Sequence, residues 1–95
     1  MVKALWKGTV IAESDRVIQM DGKRYFPHVS INPNYYIESE KHAVCPVKGR
    51  ANYYHLSVNG NFKSDGAYYF PNPNPKVKVI QNYIGFDGEI EIREE

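Results

Sequence analysis

Apolar and polar positions alternate with a period of two along much of the chain, and the short β-prone stretches are punctuated by turn residues. Val17, Ile18 and Met20 precede Asp21-Gly22, and Tyr25 and Phe26 follow it. Before Asn59-Gly60, Tyr54, Leu56 and Val58 share one parity while Tyr53, His55 and Ser57 share the other. One face of that strand therefore reads as core and the other as aromatic and polar. Ile84 and Phe86 lead into Asp87-Gly88, after which Glu89, Ile90, Glu91 and Ile92 alternate strictly, as a strand with one wet face does. Asp-Gly and Asn-Gly suit type I′ turns, whose central residues both need positive φ, so the pattern predicts three hairpins. Near the N-terminus, residues 2–6 and 9–12 read as two strand pieces interrupted at Gly8 by a bend or bulge.

One segment departs from the two-residue period. Asn74 as N-cap and Pro75 at the first helical position open a short helix that the sequence predicts over residues 75–82, with Val77, Ile80, Tyr83 and Ile84 on one side. Residues 32–48 hold two prolines and little periodicity, and read as a long connection with a short strand at 35–37. The predicted architecture is all-β and antiparallel, with one short helix, in a single domain spanning residues 1–95.

Composition narrows the function classes. Twelve Lys and Arg against eleven Asp and Glu leave a net charge of +1, too little for a global field that would draw nucleic acid or a membrane surface. Nucleic acid is accordingly not expected as a partner, and at most a local patch forms around Lys41, Lys48 and Arg50. No apolar run approaches the roughly 20 residues that cross a bilayer, and the N-terminal stretch has no signal-peptide apolar core. The single cysteine permits no internal disulfide and fits a reducing compartment, so a cytoplasmic location is expected. At 11.0 kDa, surface scaling gives about 5,600 Å² exposed in the folded state, enough burial for a modest core without staples.

Chemistry-bearing side chains are densest from Cys45 to His55: a thiol, Lys48, Arg50, Gly49, and the rings of Tyr53, Tyr54 and His55. An ammonium near a thiol favours the thiolate, so Lys48 beside Cys45 points to an activated nucleophile with His55 as its base. A buried structural cysteine is the competing reading, because free cysteines are among the most buried residues. Gly49 serves either a tight turn or a close backbone approach to a ligand. His28, His42 and His55 lie at no metal-ligand spacing, and nothing asks for a metal or another cofactor. Adjacent aromatic sets, Tyr35-Tyr36, Tyr53-Tyr54 and Tyr68-Tyr69-Phe70, each offer one ring to the core and one elsewhere, to a ligand cleft, an interface or cross-strand packing.

Several segments together resemble a known family. Trp6-Lys7-Gly8-Thr9-Val10-Ile11-Ala12-Glu13-Ser14, Tyr25-Phe26-Pro27, Cys45-Pro46-Val47-Lys48-Gly49-Arg50-Ala51-Asn52-Tyr53-Tyr54, Ala67-Tyr68-Tyr69-Phe70-Pro71-Asn72-Pro73 and residues 80–86 are similar in order and spacing to the domain-of-unknown-function 427 family. Such sequences usually carry tryptophan where this chain has Val47 and Tyr68. The resemblance implies a β-tent, folded-over antiparallel sheets with a concave region between them, and no established activity. Other β-tent proteins include zinc-stapled ones and B-type methionine sulfoxide reductases, whose paired CxxC motifs are absent here. The family motif puts any site at Cys45, Lys48 and Gly49, beside Tyr53 and Tyr54.

The leading expectation is a small-molecule binding module whose cleft is lined by Cys45, Lys48, Gly49, Tyr53, Tyr54, His55 and a ring from Tyr25 or Tyr69. Lys48 would hold an anionic group and the rings a planar body. A cysteine-dependent enzyme using Cys45, Lys48 and His55 is the alternative. A protein-interaction module using exposed tyrosines or a strand edge is the third.

Overall fold

The structure is a computed structural model that describes residues 1–95, and it is all-β, with every paired strand antiparallel to its neighbour. The strands are β1 (Val2–Trp6), β2 (Thr9–Ser14), β3 (Ile18–Met20), β4 (Lys23–Tyr25), β5 (Tyr36–Cys45), β6 (Gly49–Val58), β7 (Asn61–Tyr69), β8 (Ile84–Phe86) and β9 (Glu91–Glu94). They form a three-stranded sheet ordered β2-β1-β9, a two-stranded hairpin β3-β4, and a four-stranded sheet ordered β5-β6-β7-β8. Phe26, just past β4, exchanges two backbone hydrogen bonds with Ile84 of β8 at 2.8 and 2.7 Å, which fastens the small hairpin to the large sheet. The exposed area is 5588 Å², as the chain's mass leads one to expect. No helix is long and apolar enough to cross a membrane.

Three two-residue turns do have positive φ at both positions, but they are Lys7-Gly8, Asp21-Gly22 and Asn59-Gly60. Gly8 is thus the second residue of a true hairpin turn between β1 and β2, and the irregularity in that ladder falls instead between Ala4 and Leu5. The hairpin expected at Asp87-Gly88 does not form. The Asp87 carboxylate accepts the Glu89 N–H at 3.1 Å and its carbonyl accepts the Ile90 N–H at 3.0 Å. An aspartate that bonds its own following backbone builds a turn without positive φ, so the chain leaves β8 for the other sheet, where β9 pairs with β1.

The second correction concerns residues 32–48. After a one-turn 3₁₀ segment at Pro33–Tyr35, β5 runs for 10 residues rather than three. Its periodicity is masked because the register against β6 slips between Glu38 and His42: four residues on β5 span the two from Tyr54 to Asn52 on β6. Ser39, buried in this bulge, donates to Asp65 at 2.6 Å and accepts the Lys41 N–H. The helix expected over 75–82 is a 3₁₀ segment, Pro75–Ile80, interrupted by non-helical backbone at Val77.

The large sheet has two covered faces. On the inner face, Leu56, Val58, Ala67, Tyr69, Ile84 and Phe86 join Ala4, Trp6, Ile11, Phe26 and Ile90 in the main core. Full burial of side chains such as Leu56 or Phe26 contributes about 1.5–3 kcal/mol each, which makes this layer the chief source of stability. On the outer face a smaller cluster gathers Tyr25, Ala51, Phe70 and Ile80, with Cys45, Tyr53 and Tyr68 packed against it. Strand parity places Tyr53 and Tyr68 outward and Tyr54 and Tyr69 inward, as the alternation predicted.

Candidate functional site

The segment that looked richest in chemistry is a turn rather than a hollow. Cys45 ends β5, pairs with Gly49 at the start of β6, and its Sγ accepts the Lys48 N–H at 3.4 Å. Backbone N–H groups of Lys48 and Val47 hold the thiol below its ordinary range, with a smaller contribution from the Lys48 ammonium. Cys45 is half-buried, packed against the outer cluster of Tyr25, Ala51, Phe70 and Ile80. Lys48 directs its Nζ to Asp21 in the β3-β4 turn at 2.8 Å, and that hydrogen bond raises its pKa. Gly49 has φ 108, and a Cβ there would lie 3.5 Å from the backbone of Asn72, Pro73 and Asn74. Asn74 secures the turn from the other side: its side-chain amide donates to the carbonyls of Pro46 and Val47 at 3.2 and 2.8 Å, and its N–H to that of Lys48 at 2.9 Å.

The other residues singled out in the sequence are divided among three places. Tyr25 and Tyr53 lie on the outer face with Cys45, where both rings pack against Tyr68 at 6.2 and 6.1 Å. His55 is on that face too, but six residues along β6 from Gly49, roughly 20 Å at strand rise. Its Nδ1 accepts the Asp65 N–H at 3.0 Å and its ring lies against Phe62, so it is not brought to the thiol. Tyr54 and Tyr69 lie on the opposite face. None of the principal surface hollows is lined by Cys45 or Lys48. No group of three or more His, Cys, Asp or Glu side chains is placed to hold a metal ion.

The inner face supplies a different site, at the open end of the main core. Tyr54 and Tyr69 stack with ring centroids 5.0 Å apart, and Tyr36 and His28 meet Tyr54 edge-on at 5.6 and 6.0 Å. His28 also meets Tyr69 edge-on at 5.5 Å. The imidazole is held at both nitrogens, Nδ1 at 3.2 Å from the carbonyl of Asn82 and Nε2 at 3.2 Å from the hydroxyl of Tyr54. Tyr69 donates its hydroxyl proton to Glu38 at 3.0 Å, and Tyr36 donates to the carbonyl of Ile11 at 2.9 Å. Burial pushes the Tyr54 hydroxyl up to about 12, with Tyr69 beside it adding to the effect, and burial also raises Tyr36.

Beside these rings opens a cleft of about 400 Å³ lined by His28, Val29, Ile31, Pro33, Tyr36 and Tyr54. The two 3₁₀ turns, His28–Ser30 and Pro33–Tyr35, form one wall and the β5-β6 ladder the other. Pro27 and Pro33 favour such tight turns by fixing φ, and a bridge between Ala12 and Ile31 ties the wall to β2. Val29 stands 94% exposed at the rim. Of these residues only Tyr54 is among the ligand contacts that the sequence suggests. Tyr36 and Glu38 share its face through the register Tyr36↔Leu56 and Glu38↔Tyr54, a pairing shifted by two residues across the bulge from the one set by Cys45↔Gly49.

Fold and cleft define a small antiparallel β domain, its sheets folded over a shared core that opens at one end into an aromatic hollow. The chain belongs to the family described as Domain of unknown function (DUF427), whose model matches residues 1–94. Among curated proteins no sequence matches it.

Proposed function

We propose that this domain binds a small, largely apolar molecule with a planar body in the cleft between His28, Tyr36 and Tyr54. The observation that carries the reading is the cleft itself: about 400 Å³, apolar at Val29, Ile31 and Pro33, with one imidazole and two phenols at its inner wall. Small-molecule sites have that size and that mixture of apolar lining with a few fixed polar groups. The polar groups are pre-positioned, because each is already hydrogen-bonded to the scaffold. On this reading the ligand contacts sit on the inner face rather than at the Cys45–Lys48 turn, with Tyr54 in the cleft wall and Tyr69 stacked behind it. The test is a titration of ¹⁵N-labelled protein with a panel of aromatic fragments. Saturable shifts confined to residues 28–36 and 54 are expected; a panel without any saturable response, or one that perturbs only residues 45–49, overturns the reading.

A second reading rests on Cys45, a half-buried residue whose thiol is more acidic than usual. It supports a reactive cysteine, with the backbone N–H groups of the turn, rather than His55, favouring the thiolate. Its test is the pH dependence of iodoacetamide alkylation in the native protein against that in urea.

A further inference from the structure

The cleft's hydrogen bonds determine which polar groups remain for a ligand. The carbonyl of Asn82 can only accept, so the His28 Nδ1 facing it at 3.2 Å carries the proton. In the neutral imidazole Nε2 then has a lone pair and no proton, and the Tyr54 hydroxyl 3.2 Å away donates to it. Tyr36 spends its proton on the carbonyl of Ile11. Tyr69, stacked behind Tyr54, spends its proton on Glu38. Every phenol at this wall has therefore given its proton to the protein, and what its oxygen still offers is a lone pair. The remaining lining residues, Val29, Ile31 and Pro33, contribute hydrocarbon side chains.

From this arrangement we infer that the cleft selects ligands that bring a hydrogen-bond donor, an N–H or O–H on a planar apolar body, and disfavours carboxylates and other anions. A donor entering the cleft finds the Tyr54 and Tyr36 oxygens as acceptors already oriented by His28 and Ile11. With His28 neutral, an anion finds two acceptors and no side-chain donor at this wall, so its charge goes without a side-chain partner there. The Glu38 carboxylate behind Tyr69 adds to that repulsion. This reverses the ligand chemistry expected around Lys48, where an ammonium would have favoured an anionic group. The inference rests on the cleft being a binding site, and the experiment separates the two statements.

Binding of indole and 1-methylindole, which differ only in the N–H, and of benzamide and benzoate, is measured by chemical-shift titration of the wild-type protein. One hydrogen bond to an oriented acceptor corresponds to a preference of about fivefold. Indole is expected to bind at least that much tighter than 1-methylindole, and benzamide tighter than benzoate. In the double variant Tyr54→Phe/His28→Phe the first difference should shrink, because Tyr54→Phe alone would leave the His28 Nε2 lone pair as a substitute acceptor; Tyr36→Phe gives the same readout from the other oxygen should that variant lose its fold. Equal binding of the two indoles, or benzoate binding as well as benzamide, overturns donor selection and leaves the cleft standing as a site. Absence of binding by all four probes overturns the cleft reading, and this inference with it.

Discussion

The ring of Tyr68 occupies the space beside Gly85 directly across the β7-β8 ladder, so close that a Cβ built on the glycine would meet ring carbons at 2.6 Å. The pair closes the outer cluster where β8, only three residues long, has no side chain of its own to offer on that face. A methyl group at Gly85 must displace either the ring or the strand, and the ring is confined by Tyr25, Tyr53 and Phe70.

Gly85→Ala is therefore expected to destabilise the fold by roughly 1–3 kcal/mol, the range of overpacked cores. Urea unfolding midpoints measure it. A second variant that shrinks the ring, Tyr68→Leu, should recover part of the loss when combined with Gly85→Ala, since the two positions share one volume. Wild-type stability in the single glycine variant would show that the ladder moves freely there.

Alkaline stability reports on the buried phenols. Tyr36, Tyr54 and Tyr68 are all raised from their ordinary 10.0, chiefly by burial. The native state then keeps protons that the unfolded chain has released, so these groups stabilise the fold fully below pH 10 and lose that contribution as pH rises through their native values, about 12 for Tyr54. Unfolding free energy should fall with increasing pH above about 10. The fall should be shallower in Tyr54→Phe. Absorbance at the phenolate band should show late-ionising tyrosines that titrate with the others once urea is added; eight tyrosines titrating together in the native protein would contradict this.

The β class, two of the three positive-φ hairpins and the division of Tyr53 from Tyr54 and of Tyr68 from Tyr69 were legible in the sequence, because each depends on local turn chemistry or strand parity. What failed depended on pairing between distant segments. Asp87-Gly88 has hairpin composition, yet β8 and β9 find other partners, β7 and β1, and β1 lies about 80 residues from β8 in sequence. The cleft was hidden for the same reason: His28 and Tyr54 are 26 residues apart. The density of chemistry between Cys45 and His55 was misleading as well. A strand points alternate side chains to opposite faces and spreads six residues over roughly 20 Å, so neighbours in sequence are divided in space.

Reactivity at Cys45 follows from the turn's own backbone. The thiol should react with iodoacetamide with an apparent pKa lower in the native protein than in urea, where the Lys48 and Val47 N–H groups no longer face the sulfur. Asp21→Asn removes a carboxylate that opposes the thiolate and should lower the midpoint further, while changing stability by less than about 1 kcal/mol, since the Lys48–Asp21 pair is largely exposed on the acidic side. Asparagine suits the substitution because Asp21 sits at φ 52, which asparagine tolerates. A native midpoint equal to or above that in urea would remove the reactive-cysteine reading.

The acidity of that thiol depends in turn on Asn74, which holds the carbonyls of Pro46 and Val47 so that the N–H groups of Val47 and Lys48 face the sulfur. Asn74→Ala leaves two carbonyls without their side-chain donor and should cost about 1–2 kcal/mol, less where water replaces the amide. The more telling effect is on chemistry: with the turn loosened, the alkylation midpoint should move up towards its value in urea. Asn74→Asp serves as a control of similar shape, since a carboxylate cannot donate to either carbonyl and should also raise the midpoint. If both variants alkylate with the wild-type pH profile, the turn is held by its backbone alone, and the Lys48 and Val47 N–H groups stay at the sulfur without Asn74.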